Sequence, residues 1–245
     1  MEQDNIPELP SDDLIWRVTS TRSREWFWNS GSRSFNEINA VLSVIGTSLS
    51  DYLRVLDWGC GCGRILLHLK EVGQKAELYG VDIDSEAIAW AQQHIPWAHC
   101  SVCNGLPPLD FPDGFFNLIY NHSVMTHLDE QYQDAWLAEL QRVVKPEGFV
   151  LLTVSGDHPF AGLEKTWREA GANPSPMRET LRKKGILYIT DDEWKNGPFP
   201  DFYHSTFHSP WYIFEHWGQF FEIKAYIVRG SIDFQDFVLM RRRKE

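Results

Sequence analysis

The chain has 245 residues, 43% hydrophobic and 23% charged, with 34 acidic against 23 basic side chains and a net charge of −11. A chain of this length and composition can bury a core without disulfides or metals, which excludes wholesale disorder. No run of about 18 apolar residues marks a membrane span, the acidic start MEQDNIPELPSDD does not read as a signal peptide, and the acidic balance argues against a nucleic-acid or anionic-membrane surface.

Ser34-Phe35-Asn36-Glu37 reads as a capping box, after which Phe35, Ile38, Val41, Leu42, Ile45 and Leu49 recur at helical spacing. From Leu53 the pattern alternates. Strands are predicted at Leu53 to Leu56, Glu77 to Val81, Ala98 to Val102, Phe115 to Tyr120 and Phe149 to Val154. Helices are predicted between them at Ile65 to Lys70, Ser85 to Gln93 (capped by Asp84 or Ser85) and Asp129 to Val144, the last stopped by Lys145-Pro146-Glu147-Gly148. After Ser155 the rhythm breaks into a stretch rich in Pro, Gly, charge and aromatics, with short helices near 161–170 and 176–184. Ser209-Pro210 opens a further helix. Two closing strands, Phe221 to Val228 and Phe234 to Met240, are linked closely enough to pair only antiparallel. The order predicts an α/β fold with a doubly wound, mostly parallel seven-stranded sheet and an antiparallel last strand. One domain, 1–245, is expected: an N-terminal helical cap (1–50), a core (51–155), a capping insertion before strand six (156–208), and a final helix with an antiparallel hairpin (209–245).

The chemistry concentrates at Asp57-Trp-Gly59-Cys60-Gly61-Cys62-Gly63-Arg64, which follows the first strand. Glycines there let backbone approach a ligand closely. Asp82 stands nineteen residues past Gly63, at the end of the next strand, where a carboxylate can accept both hydroxyls of a ribose. A dinucleotide fingerprint, G-x-G-x-x-G, needs glycine at position 64, which is arginine. A carboxylate at Asp57 would also repel a pyrophosphate, whereas it would attract an ammonium.

This pattern resembles the first motif of the class I S-adenosylmethionine-dependent methyltransferases, over about residues 50 to 155. The resemblance implies S-adenosyl-L-methionine as cofactor, wrapped by Gly59, Cys60, Gly61, Gly63 and Arg64, with Asp57 facing its amino end. It assigns Asp82 to the ribose and Ile83 to packing on adenine. The stretch from Asn104-Gly105 to Tyr120 is similar to the family's "D-x-LPF-PDGSFDLVY", with Asn104 where an acid usually receives the adenine amino group and Asn117 where an Asp usually stands. Asn121 completes the implied cofactor set. The run Val143-Val144-Lys-Pro-Glu-Gly-Phe-Val-Leu-Leu matches "LKPGGxLLL".

The spacing of Cys60, Cys62, Cys100 and Cys103 invites a zinc reading, but the glycine turn explains the first pair and a strand the second. A reducing, cytoplasmic compartment and no metal are expected. Some family members hold a divalent metal through Glu-His at the position of Thr126-His127; Thr126 lacks the carboxylate, so His127 is expected to be a packed histidine. Methylation of a hydroxyl needs a general base. His122, directly after a strand end, and then His208 are the candidates, with His158 and His204 behind them.

The chain carries 14% aromatic residues. Trp211, Phe214 and Trp217 recur at helical spacing and are expected to pack on the sheet. Trp28, Phe202, Tyr203, His204 and Phe207 are expected to line a substrate pocket. His208-Ser209 and Gln235-Asp236 resemble a subgroup of bacterial-type methyltransferases found beside sugar and natural-product biosynthesis, which implies a hydroxyl acceptor. The basic end, Arg241 to Lys244, reads as solvated. The expected activity is O-methylation of a small or medium organic acceptor, with no nucleic-acid or membrane partner. N- or C-methylation, a non-catalytic binding module and a dehydrogenase are the alternatives.

Overall fold

The computed structural model describes residues 7–190 and 199–244, so residues 191–198 of the expected insertion lie outside it. The chain forms two compact units, one ending at Gly105 and the other starting at Leu106.

The first unit contains helices α1 (Asp12–Thr19) and α2 (Arg24–Ser43), strands β1 (Arg54–Trp58) and β2 (Glu77–Asp82), helix α3 (Ser85–His94) and strand β3 (Ala98–Val102). The second has β4 (Phe116–Tyr120), α4 (Glu130–Val143), β5 (Val144–Val154), α5 (Asp157–Glu169), α6 (Ser175–Lys184), β6 (Ile186–Ile189), β7 (Ser205–His208), α7 (Pro210–Glu215), β8 (Glu222–Ser231) and β9 (Gln235–Arg241). The strands of the first unit lie in the order β3-β2-β1, and those of the second unit's larger sheet in the order β4-β5-β9-β8. β1, β2 and β3 pair parallel, as do β4 and β5, while β9 runs antiparallel to both β5 and β8. This is the doubly wound, mostly parallel sheet with an antiparallel last strand that the alternation predicts. No helix among the described residues is long and apolar enough to cross a membrane.

Local chemistry accounts for the elements. Val55, Leu56, Leu118, Ile119 and Tyr120 are buried in their strands, as parallel strands covered on both faces require. Asp84 caps α3 by accepting from the amides of Glu86 (3.0 Å) and Ala87 (3.2 Å), and Asp129 caps α4 by accepting from Tyr132 (2.9 Å).

Several expectations are corrected. The second helix starts at Ser23, whose hydroxyl accepts from the Trp26 amide at 3.1 Å, ahead of the Ser34 box. Ser34 lies inside α2 and is buried. The helix predicted from Ile65 to Lys70 is only a 3-10 turn at Leu66–His68. The Leu66 carbonyl, which an α-helix would pair with the residue 70 amide, instead accepts from the Trp97 indole at 2.8 Å and the Leu69 amide at 3.0 Å. Trp211 and Phe214 are not core: they are 41% and 52% exposed, and Tyr212, Ile213 and Trp217 carry the buried face. Trp217 sits on a separate 3-10 turn after α7, so the helical spacing of the three does not continue through it.

The insertion contains a two-stranded antiparallel sheet, β6 with β7, that sequence reasoning missed. Its core is Phe160, Leu181, Leu187 and Phe207. The basic end is not simply solvated: Arg242 donates to the carbonyls of Arg142 (3.2 Å) and Val144 (2.8 Å), and Arg243 to that of Phe221 (2.9 Å).

Gly156, which precedes α5, faces Asp236 so closely that a Cβ would overlap the carboxylate. That carboxylate is held, accepting from the Tyr226 hydroxyl at 2.6 Å and the Arg229 amide at 2.7 Å. Gly156→Ala is therefore expected to lower stability by about 1–3 kcal/mol, the range for overpacking. The midpoint of urea unfolding checks this, and an unchanged midpoint would show that Asp236 moves freely.

Candidate functional site

The first unit concentrates its functional side chains at the ends of β1 and β2. Past Trp58 the chain turns sharply: the amides of Gly59 (2.8 Å) and Cys60 (3.1 Å) both donate to the Val81 carbonyl, and Gly63 donates to Cys60 at 2.9 Å. Gly59, Gly61 and Gly63 adopt φ of +79°, +54° and +81°, a region that side-chain-bearing residues rarely enter. The turn is seated on Asp82, whose carboxylate accepts from the amides of Gly61 at 2.7 Å and Asp84 at 2.9 Å. Desolvation pushes the Asp82 pKa up, and the Asp84 and Gly61 amides pull it back.

Asp57 is buried on β1, in register with Gly80. Beside Asp82, Ile83 is 41% exposed, and Val102 on β3, the register partner of Asp82, is 53% exposed. Asn104 is exposed just beyond β3, next to Gly105. The arrangement offers a carboxylate for paired hydroxyls, apolar side chains for a flat ring and a tight turn for close backbone approach.

Three predicted residues serve elsewhere. Arg64 is buried, and its guanidinium donates to the hydroxyls of Ser30 (3.2 Å) and Ser34 (3.1 Å), tying the turn to α2. Its side chain is a strut to that helix. Trp28 is half-buried against the first unit's core, tilted on the His68 ring at 4.2 Å. Cys60 turns its sulfur over Gly80.

Sequence reasoning missed α1's part altogether. Val18 lies 2.6 Å from where a Gly61 Cβ would be, and Arg17 bridges Asp84 (3.0 Å) and Glu86 (2.8 Å). Nothing one-dimensional links a residue at 17 or 18 to a turn at 61.

In the second unit the segment after β4 is pinned on both sides of His122. The Asn121 amide donates to Leu151 at 3.0 Å, and its side-chain oxygen accepts from the Thr153 amide at 3.2 Å. The Ser123 amide donates to the Thr153 hydroxyl at 2.7 Å, and Gln235 donates to the Ser123 hydroxyl. Ser123 takes φ +67°, held there by these bonds.

His127 and His204 exchange two bonds: His127 Nδ1 donates to the His204 carbonyl at 2.9 Å and the His204 amide to the His127 carbonyl at 3.1 Å. Tyr203 stacks on His127 at 3.8 Å and on Phe199 at 4.5 Å, and Phe202 stacks on Tyr132 at 4.7 Å. Burial lowers the His127 pKa to about 4. His204 is buried edge-on to Tyr188 at 5.5 Å. His158 is exposed near Phe234.

Two predicted residues are corrected here. Phe207 fills the insertion's own core rather than lining a pocket. His208 is 1% exposed, with Nε2 donating to Gln133 Oε1 at 3.0 Å. That assignment follows because Gln133's amide nitrogen already donates to the carbonyls of Met125 (3.0 Å) and Leu128 (2.9 Å). Burial lowers the His208 pKa to about 3. The ring is thus enclosed, with its Nε2–H engaged by Gln133 instead of facing open space. Among the described residues, no group of three or more His, Cys, Asp or Glu could hold a metal ion.

Comparison with known proteins bears on this geometry. Residues 55–148 match a family model described as a methyltransferase domain. The malonyl-[acyl-carrier protein] O-methyltransferase of Halorhodospira halophila is 32% identical over 121 residues, 48% of this chain and 40% of that protein. The phosphoethanolamine N-methyltransferase of Plasmodium falciparum is 26% identical over 63% of this chain and 54% of its own length. The chain thus spans about half or less of these relatives. A solved S-adenosylmethionine-dependent methyltransferase structure from Methanosarcina mazei superposes with a TM-score of 0.58 at 21% identity, over 78% of this chain and 93% of that one, a likeness of fold.

Proposed function

We propose that residues 55–148, which match a methyltransferase-domain family model, work as a class I S-adenosylmethionine-dependent methyltransferase domain, and that the chain methylates a small or medium organic acceptor, at a hydroxyl of a sugar or secondary metabolite. The observation that carries this reading is the positive-φ glycine turn seated on Asp82. S-adenosylmethionine supplies a methyl group on a cationic sulfur, and its in-line displacement asks mainly for proximity and orientation. Asp82 accepts the ribose hydroxyls, Ile83 packs on the adenine, Asn104 accepts the adenine amino group, and Asp57 faces the ammonium end. The acidic balance of the chain suits a cationic cofactor.

For a hydroxyl acceptor His122 is the base, taking the proton as the oxygen attacks. Its two neighbours are pinned by Thr153 and Gln235, which supports an oriented ring. The relatives act on different atoms, one named for O-methylation and the other for N-methylation, so N-methylation is the second reading.

Calorimetry with S-adenosylhomocysteine and with NAD tests the cofactor, and a methyl-transfer screen over sugars, phenols and amines tests the acceptor. Binding of the homocysteine compound, turnover on a hydroxyl and a loss of about 10²-fold or more in His122→Ala are expected. Binding of NAD alone would overturn the cofactor reading. Full turnover in His122→Ala would remove the base, and turnover confined to amines would favour the N-methyl reading.

A further inference from the structure

Two thiols meet beside the glycine turn. Pairing of β3 with β2 sets Cys100 opposite Gly80, and donation from the Cys60 amide to the Val81 carbonyl brings Cys60 over the same strand. A Cβ on Gly80 would lie 2.9 Å from the Cys60 sulfur and 3.3 Å from the Cys100 sulfur. Both residues are buried free thiols. The proximity of the two thiols raises the Cys60 pKa and lowers that of Cys100, and the Cys60 thiol donates to the Gly61 carbonyl at 3.5 Å. Cys62 and Cys103, by contrast, are pushed up to about 12 by burial.

We propose that Cys60 and Cys100 form a reversible dithiol–disulfide site whose oxidation displaces the glycine turn and weakens cofactor binding. The second half of this rests on the cofactor reading above. The oxidant is a hydroperoxide. The Cys100 thiolate attacks a peroxide oxygen, the O–O bond breaks, and a sulfenic acid forms with release of hydroxide. The Cys60 sulfur then attacks the sulfenic sulfur, its proton leaves with the departing hydroxyl as water, and the S–S bond closes. Two thiols and one hydrogen peroxide become one disulfide and two waters, the sulfurs losing two electrons in all and the peroxide gaining them.

A disulfide is about 2.05 Å long, shorter than the approach of two unbonded sulfurs such as these free thiols, so closure draws Cys60 toward β3. Its neighbours Gly59 and Gly61 are bonded to the Val81 carbonyl and the Asp82 carboxylate. Moving Cys60 therefore disturbs the contacts that seat the turn.

The test exposes the reduced full chain to hydrogen peroxide and reads intact mass, a non-reducing peptide map and S-adenosylhomocysteine affinity. The expected result is a loss of about 2 Da as two thiols become one disulfide, linkage of the Cys60 and Cys100 peptides, and an affinity about tenfold or more weaker, all reversed by dithiothreitol. Cys100→Ser should keep its affinity through the same treatment, whereas Cys62→Ser and Cys103→Ser should respond like the parent. The wild-type peptide map decides the linkage even if a variant fails to fold. Absence of the Cys60–Cys100 link overturns the proposal, and a link that leaves affinity unchanged overturns its coupling to the cofactor. Reduced protein that binds no S-adenosylhomocysteine would overturn the cofactor reading and that coupling, while the peptide map still decides the disulfide.

Discussion

Replacing Asp82 with alanine is expected to weaken S-adenosylhomocysteine binding by about 100-fold or more. A carboxylate can accept about four hydrogen bonds, so the amides of Gly61 and Asp84 leave Asp82 capacity for ribose hydroxyls. Hydrogen bonds to a charged group contribute roughly 1.5–3 kcal/mol each, and losing two corresponds to at least about two decades in Kd. Alanine also frees the Gly61 amide, so the turn loses its seat together with the ligand contact. Asp82→Asn separates the two effects. Its amide keeps one acceptor oxygen and nearly the same shape, and an intermediate affinity is expected. Calorimetry reads the affinities while circular dichroism checks the fold. A folded Asp82→Ala protein that binds within about twofold of the parent would show that the ribose lies elsewhere.

Acid is expected to unfold the protein well before its carboxylates are fully protonated. Burial lowers the pKa of His68 and His127 to about 4 and of His208 to about 3, against about 6.5 for a free imidazole. The sign follows from proton counting. Between roughly pH 4 and 6.5 the unfolded chain binds protons at these rings and the folded chain does not, so stability falls as pH falls through that window and is fully present above it. Each unit of depression is worth about 1.4 kcal/mol. Three rings therefore cost on the order of 5 kcal/mol or more by pH 4, comparable to the whole stability of an ordinary domain.

Thermal melts from pH 7 to pH 4.5 are the measurement. Tm should drop steeply below pH 6.5, and His208→Gln should show a shallower slope even though it starts from a lower Tm. A flat Tm over that range, or an unaltered slope in His208→Gln, would rule these histidines out as the acid-labile element.

The sheet was legible because parallel strands are short apolar runs separated by helices, and that rhythm is written locally. Ala98 to Val102 matches β3 residue for residue, and Asp84 and Asp129 announce their helices by capping chemistry. Asp57, the glycines and Asp82 were legible for a related reason: a tight turn needs residues able to take positive φ, and its partner carboxylate lies at a fixed offset set by one βα unit. The errors came where a distant group competes for a local one. Trp97 takes the Leu66 carbonyl and halts a helix; Ser30 and Ser34 take the Arg64 guanidinium. Gln133 takes the His208 ring out of any accessible site.

By itself, then, the amino-acid order determined the α/β alternation, the antiparallel close and the Asp57–glycine–Asp82 pattern, since these depend on periodicity, backbone freedom and charge within a few tens of residues. Only the tertiary structure decided which of the nine histidines are sealed, where the aromatic surplus faces, that α1 lies on the turn, and that Cys60 and Cys100 share the space over Gly80. Those outcomes depend on which surfaces meet across long separations in the chain, and burial and hydrogen-bond competition at such contacts leave no local periodicity to read.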